Sequence, residues 1–363
     1  MAVGRVPRSR GGGLTRVAAT VVVTALCLAL ASCGSGPSNQ VGVSLILKTT
    51  TNPYFVSMEK SAKQAAAQHH VRLSVAAGTA DGDTQNQINA IDTAIARGDK
   101  GILITSNGDS VNAALRQAKD NGLFVIALDT PLNPARTANA TYATDNEKAG
   151  RLIGAYAAAR LGGKKAVIAM LDLYNDQVVS VDINRDHGFL EGMGIPTGNK
   201  NLNGQEPKSG HYSGGKGGSY QIACHRPSQG AIDGGRTAME QCLSANPSIN
   251  LVYSINEPAG EGAYAALRAA HKTGQAIVVS IDGSCGGIEL VKSGVFAADA
   301  TQYPGKMAGL GVTSVAKAAQ GGPRPGQSAR SFLDTGTNLV TSKPQPGVTS
   351  QSPATALRRC WGG

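Results

Sequence analysis

Short apolar runs rich in β-branched residues recur through the chain and alternate with stretches of helical periodicity. Gly42–Leu47, Val71–Ala76, Gly101–Thr105, Leu123–Leu128, Lys165–Leu171, Asn250–Ile255, Ala276–Ile281 and Val295–Ala300 read as strands. Between them Tyr54–His69, Thr84–Arg97, Ser110–Asn121, Asn146–Leu161, Gly230–Ala245, Ala259–Thr273 and Gly305–Ala319 read as helices. A strand that is apolar along its whole length has two faces to bury, and helices interposed between such strands cover both faces of a parallel sheet. The expected class is α/β, and 363 residues suffice for two such sheets.

The strands stop on polar residues. GILITSN ends at Ser106 and Asn107, LFVIALD at Asp129, AVIAMLD at Asp172, LVYSIN at Asn256 and IVVSID at Asp282. Ligands of open parallel sheets sit beyond the carboxyl ends of the strands. Each of these residues, taken singly, is at least as well read as a helix N-cap. Five such ends on two halves of the chain favour a shared polar cleft. Its amide and carboxylate groups include no evident nucleophile, and they suit a neutral ligand rich in hydroxyls, since every buried polar atom needs a partner. Tyr54 and Phe55, beside Asn52, would pack on the C–H face of a sugar ring; from spacing alone they fit a helix core equally well.

Charged residues are 16% and hydrophobic residues 41% of the chain, which excludes a charge-driven disordered polymer. There are 47 glycines but no Gly-x-y repeat, so collagen is excluded. The net charge is +10; Arg5, Arg8, Arg10 and Arg16 contribute +4 of it, leaving +6 for the rest. Those arginines precede an apolar run, Val17–Ala31, too short for a bilayer span of about 20 residues. Together they form an export signal, 1–32. It ends Leu30-Ala31-Ser32-Cys33, which resembles the lipobox of bacterial lipoproteins, with Cys33 carrying the lipid. Residues 33–40 then read as a flexible tether, and the body is expected outside the cytoplasm at a membrane surface.

Cys27 lies in the signal. The four remaining cysteines, Cys224, Cys242, Cys285 and Cys360, suggest disulfides in an exported chain. Three pairings exist; Cys224–Cys242 with Cys285–Cys360 is favoured. No metal is expected, because there is no C-x-x-C and the adjacent Cys224-His225 is poor geometry for one ion. Gly210–Gly217 nearly spells a phosphate-binding loop, but Gly217 stands where Ser or Thr is required, so an exposed flexible loop is the better reading. No Gly-x-Ser-x-Gly elbow occurs.

The segments TTTNPYFVSMEKSAKQAA, GILITSNGDS, VIALDTPL, YATDNEKAGRLIG, NRDHGFLEGM, VYSINEPAGEGA, VSIDGSCGGIELVKSGV and ATQYPGKMA follow one another as in the ribose-type periplasmic sugar-binding proteins, the solute-binding subunits of ABC importers. TxNPYF, DGDTQNQ, ALDTPL, AMLD, INEPA and the terminal CWGG resemble the fructose-binding branch most closely. The resemblance implies two Rossmann-like lobes joined by a three-segment hinge, the type I periplasmic binding protein fold. One lobe would comprise 41–144 plus 303–335, the other 145–302 plus 336–363. It implies a monomer that binds a monosaccharide, fructose foremost, and presents it to a membrane permease, with no cofactor, nucleic acid or catalysis. The sugar-contacting positions carry over to Lys48, Asn52, Tyr54, Phe55, Ser106, Asp109, Asp129, Arg185, Asn256, Asp282 and Gln302. Thr130 departs from the Arg of many ribose binders, and Gly204–Pro227 is a long Gly-rich insertion. A sugar-acting secreted enzyme and a receptor for chemotaxis or quorum sensing are the competing readings. A repressor core of the same fold would need a DNA-binding segment where the export signal stands.

Overall fold

The computed structural model describes residues 1–4, 40–326 and 331–362. Cys33, with most of the export signal and tether, lies outside the described residues, so the lipidation expected there is not addressed by the fold. All elements fall within the compact unit Gln40–Gly363.

The first sheet is built from β1 (Gly42–Leu47), β2 (Arg72–Ala77), β3 (Gly101–Ile104), β4 (Phe124–Leu128), β5 (Ala140–Ala143) and a short late strand, Phe332–Asp334. Helices α1 (Pro53–Gln68), α2 (Thr84–Ala96) and α3 (Asn112–Asp120) alternate with its strands. The chain then enters a second unit: α4 (Asn146–Leu161), β6 (Ala166–Asp172), α5 (Ser180–Met193), β7 (Ser209–Tyr212), β8 (Gly218–Pro227), α6 (Ile232–Ala245), β9 (Leu251–Ser254), α7 (Glu257–Ala269), β10 (Ile277–Asp282), α8 (Cys285–Ser293) and β11 (Ala298–Thr301). It returns through α9 (Pro304–Ala319) to that late strand, β12 (Phe332–Asp334), then crosses again to β13 (Leu339–Val340) and ends after α10 (Pro353–Ala356).

The first sheet runs β12-β5-β4-β3-β1-β2, with every pairing parallel. The second runs β13-β11-β10-β9-β6-β8-β7, with antiparallel partners only at its two edges, β13 on β11 and β7 on β8. Strands β1, β3, β6 and β9 are buried along their whole length, which is why each reads as a continuous apolar run rather than an alternation. Between the sheets the chain passes three times, after β5, after β11 and after β12.

The Gly-rich stretch departs from expectation. Gly210–Gly217, anticipated as an exposed flexible loop, is half of a hairpin: Gly210–Tyr212 pair within β7 and Ser213–Gly217 make the turn into β8. Gly215 and Gly217 take positive φ at the turn. Tyr212 and Tyr220 are buried on its inner side, their hydroxyls donating to Lys164 O (2.8 Å) and Pro207 O (3.0 Å). The segment is thus a sheet edge, with β8 paired in parallel to β6.

Two helices meet almost backbone to backbone. A β-carbon at Gly150 or Gly154 of α4 would land on the carbonyl oxygen of Arg185 or Phe189, and one at Gly188 or Gly192 of α5 on that of Glu147 or Arg151. Only glycines permit this approach. It fixes α5, and the side chains it carries, against α4.

Two disulfides are formed. Cys224–Cys242 ties β8 to α6, and Cys285–Cys360 ties the start of α8 to the C-terminal segment across 75 residues of sequence. The second anchors Trp361, whose ring meets Tyr54 edge-on at 5.3 Å and whose Nε1 donates to Asp282 O (3.1 Å). Closing so long a loop restricts the unfolded chain by about 4.5 kcal/mol in the chain-entropy account. The double variant Cys285→Ser/Cys360→Ser is therefore expected to lose about 2–5 kcal/mol in chemical denaturation. An unchanged unfolding midpoint would show that the bridge constrains nothing.

Candidate functional site

The carboxyl ends of both sheets open on one hollow, a cavity of about 40 Å³. The first sheet supplies Lys48 and Asn52 after β1, Asp81 after β2 and Asp129 after β4, with Tyr54 and Phe55 from the first turn of α1. From the second unit come Leu173 after β6, Val181 and Arg185 from α5, Ile255 and Asn256 after β9, Asp282 closing β10, and Gln302 just past β11.

Capping and lining turn out to be compatible. Asn52 Oδ1 accepts from Tyr54 N (2.9 Å) and caps α1; Asn256 Oδ1 accepts from Ala259 N (3.1 Å) and caps α7. Both still border the hollow. Asp129 is held at φ +61°, a left-handed conformation uncommon outside glycine that Asp tolerates. Its Oδ1 accepts from Tyr54 Oη (2.9 Å) and its Oδ2 from Thr130 Oγ1 (3.0 Å). Thr130 thereby orients the carboxylate. On the opposite wall, Gln302 Nε2 donates to Asp282 Oδ1 (2.8 Å).

Arg185 is the central cation. Its Nε donates to Asn146 Oδ1 (2.8 Å) and its Nη1 to Ile255 O (2.9 Å), so the guanidinium is fixed from both sides. It stands 3.9 Å from Asp129 Oδ1 and 3.9 Å from Asp282 Oδ1, too far for a hydrogen bond to either. Among the described residues its Nη2 makes no hydrogen bond, nor does Lys48 Nζ. Three carboxylates, two cations with unspent donors, and the apolar faces of Phe55, Leu173, Val181 and Ile255 together make a chamber whose polar groups are oriented but not paired off.

Burial pushes the Asp282 carboxyl up to about 7; the neighbouring Asp129 charge raises it further, while Arg185 and the Gln302 hydrogen bond hold it down. Burial also pushes Glu257 up to about 8, with Asp282 adding to the rise. These carboxyls bind protons more tightly folded than unfolded. Stability is thus full below the ordinary carboxyl range near pH 4 and declines as pH rises toward 7–8. A ligand donating hydroxyl hydrogens to Asp282 favours its ionised form, so affinity should rise across the same upper window. Titration calorimetry between pH 6 and 8 is expected to show tighter binding at pH 8, with proton release at pH 6. Affinity that is flat or falls over this range would contradict the role of an Asp282 carboxylate as acceptor.

Two positions read from the sequence are not brought here. Ser106 and Asp109 border a separate groove with Thr130–Asn133, Val178–Ser180, Ile183 and Asn184. Ser106 Oγ donates to Gly108 O (2.8 Å) and accepts from Gly108 N (3.1 Å), so the hydroxyl is spent on its own turn. Asp109 lies beyond Gly108 in an exposed 3₁₀ turn, and its Oδ1 accepts from Asn112 Nδ2 at 3.4 Å. Asp81 was missed. It lies four residues past β2 in a loop without periodicity, and the only signal was the Asp-Gly-Asp turn leading into α2.

A family profile described as "Periplasmic binding protein domain" matches residues 43–323. The chain is similar to the D-ribose/D-allose-binding protein of Pseudomonas aeruginosa, 25% identical over 337 residues that cover 90% of this chain and 98% of that one. It is similar to the ribose import binding protein of Escherichia coli K12, 25% identical over 284 residues, 77% and 85% of the two chains. Among solved structures, a periplasmic solute-binding protein of an ABC transporter from Actinobacillus succinogenes 130z, with bound D-allose, superposes with a TM-score of 0.69 at 22% identity, covering 83% of this chain and 98% of that one.

Proposed function

The chain belongs to the periplasmic binding protein domain family, among its ribose-type sugar-binding proteins, and from that premise we propose that it binds one monosaccharide in the hollow between its two sheets and hands it to a membrane ABC permease. One observation carries the reading: Arg185 is pinned midway between Asp129 of one wall and Asp282 of the other, yet hydrogen-bonded to neither. Sugar hydroxyls can donate to both carboxylates and accept from Nη2 in that gap. Such charge-assisted bonds contribute about 1.5–3 kcal/mol each. Tyr54 and Phe55 supply the apolar wall that the C–H face of the ring requires.

We take 41–144 with 303–335 as one lobe and 145–302 with 336–363 as the other, hinged where the chain crosses. Ligand closes the hinge, and the permease reads the closed shape. Lys48, Asn52, Asp81, Asn256 and Gln302 complete the polar lining. Fructose is the proposed sugar, on the strength of the fructose-branch segments; the relatives described above are named for ribose and allose. Cys33 is the proposed lipid anchor, supported by Leu30-Ala31-Ser32 before it.

The decisive experiment is a thermal-shift screen against free monosaccharides, followed by calorimetry and product analysis. A ligand at a hundred times its Kd adds about 2.7 kcal/mol, which raises Tm by several degrees. One sugar should do so and be recovered unchanged. Failure of every monosaccharide, or turnover of a glycoside, would end the reading. For the anchor, metabolic fatty-acid labelling should mark the wild-type chain and spare Cys33→Ala.

A further inference from the structure

One position along α5 from Arg185, Asp186 is fully buried, and neither of its carboxylate oxygens has a hydrogen-bond partner among the described residues. One ligand-type atom each from Asp186, from Asp172 at the end of β6 and from His225 on β8 all lie within 4.8 Å of one another. His225 Nδ1 is 2.7 Å from Asp172 Oδ2, and its Nε2 is 2.9 Å from Glu206 Oε1. Glu206 is held in turn by Lys208 Nζ at 2.8 Å. Asp172 Oδ1 and Glu206 Oε2 are also buried without partners. The nearby Asp182 differs, because its two oxygens accept from Leu173 N (2.9 Å) and Tyr174 N (3.2 Å).

From this geometry we infer a binding site for one divalent cation of the zinc class, with Asp172, Asp186 and His225 as ligands and Glu206 fixing the imidazole. Metal–ligand bonds near 2.1 Å put the donors of one small ion about 3.4–4.2 Å apart, so side-chain shifts of under an ångström close the set. The imidazole nitrogen selects against Ca²⁺ and Mg²⁺, which take oxygen ligands. A carboxylate behind the second ring nitrogen is the usual support of a metal-bound histidine, and Glu206 stands there. Three carboxylates around one imidazole leave a buried excess of negative charge that a dication offsets. Cys224 takes no part, being bound to Cys242. The rival arrangement holds the cluster with protons alone, an imidazolium and a carboxylic acid.

A bound ion would clamp α5 to β6 and β8 and so stiffen the base of Arg185. The test is made on the full chain, stripped with a chelator and titrated with Zn²⁺ against a chromophoric competitor, with no sugar present, so its outcome is separate from that of the sugar screen. The site predicts one Zn²⁺ per chain and a rise in Tm of several degrees. Asp186→Asn should weaken uptake by more than the roughly 10–100-fold expected of Glu206→Gln, which removes only the support. The Tm of Asp186→Asn in chelator should equal or exceed that of wild type, which separates a lost ligand from a lost fold. Absence of uptake, a preference for Ca²⁺, or uptake unaltered in Asp186→Asn would overturn the inference; the last would move the metal to other histidines such as His69 and His70.

Discussion

Arg185→Met should lower sugar affinity at least about a hundredfold in titration calorimetry, with the fold retained. Two charge-assisted hydrogen bonds at about 1.5–3 kcal/mol each already account for that factor. The loss is deepened because Asp129 and Asp282, on opposite walls, then face each other without the guanidinium between them. Asp129→Ala and Asp282→Ala should each weaken binding by well over tenfold, since each removes a charged acceptor and strands a hydroxyl donor. Affinity unchanged in all three variants would mean that the sugar does not enter the Arg185 gap. Lys119→Ala, in the last turn of α3, provides the neutral comparison; among the described residues its Nζ donates to Arg136 O alone.

The second large effect concerns the α4–α5 crossing. Gly154→Val is expected to cost more than about 4 kcal/mol, above the roughly 1–3 kcal/mol usual for overpacking, because the site cannot give way. The atom in the way is the Phe189 carbonyl oxygen, which belongs to a helical backbone and cannot rotate aside. Gly309→Ala in α9 is the informative contrast. It is also a mid-helix glycine, but no described residue lies within 4 Å of its β-carbon position, so the change should stabilise by about 0.5–1 kcal/mol. Equal midpoints for the Gly154 and Gly309 variants in urea would refute the close approach. The crossing matters to the site because Asn146, which holds Arg185 Nε, sits at the start of α4.

The parallel strands and most helices were legible because their burial is uniform. β1 and α4 begin and end where pattern alone puts them, at Gly42–Leu47 and Asn146–Leu161. Helix α5 was not legible. Its buried side includes Asp182, Arg185, Asp186 and His187, so the residues facing inward are polar and the apolar period is masked. β8 was hidden for a related reason, since Gly218, Cys224, His225 and Arg226 interrupt a strand that pairs with β6 one place in from the edge of the second sheet. Strand-end chemistry located Asp129, Asn256 and Asp282 on the hollow, but it could not tell which end a following turn carries away. Ser106 spends its hydroxyl on the Gly108 backbone and Asp109 lies in the exposed turn beyond, so both border another groove. Asp81 reaches in from a loop to which no periodicity applies.

Trp361 is the single tryptophan of the chain, and its indole rests against Tyr54, whose hydroxyl is bonded to Asp129. Its ring nitrogen donates to the main chain of Asp282. The protein thus carries a built-in optical reporter, a lone indole that long-wavelength light excites apart from the nine tyrosines, seated where one wall of the chamber touches the other. Intrinsic emission, with no label attached, should register occupancy as a change in intensity or wavelength, so that filling and emptying can be followed in real time by stopped-flow mixing.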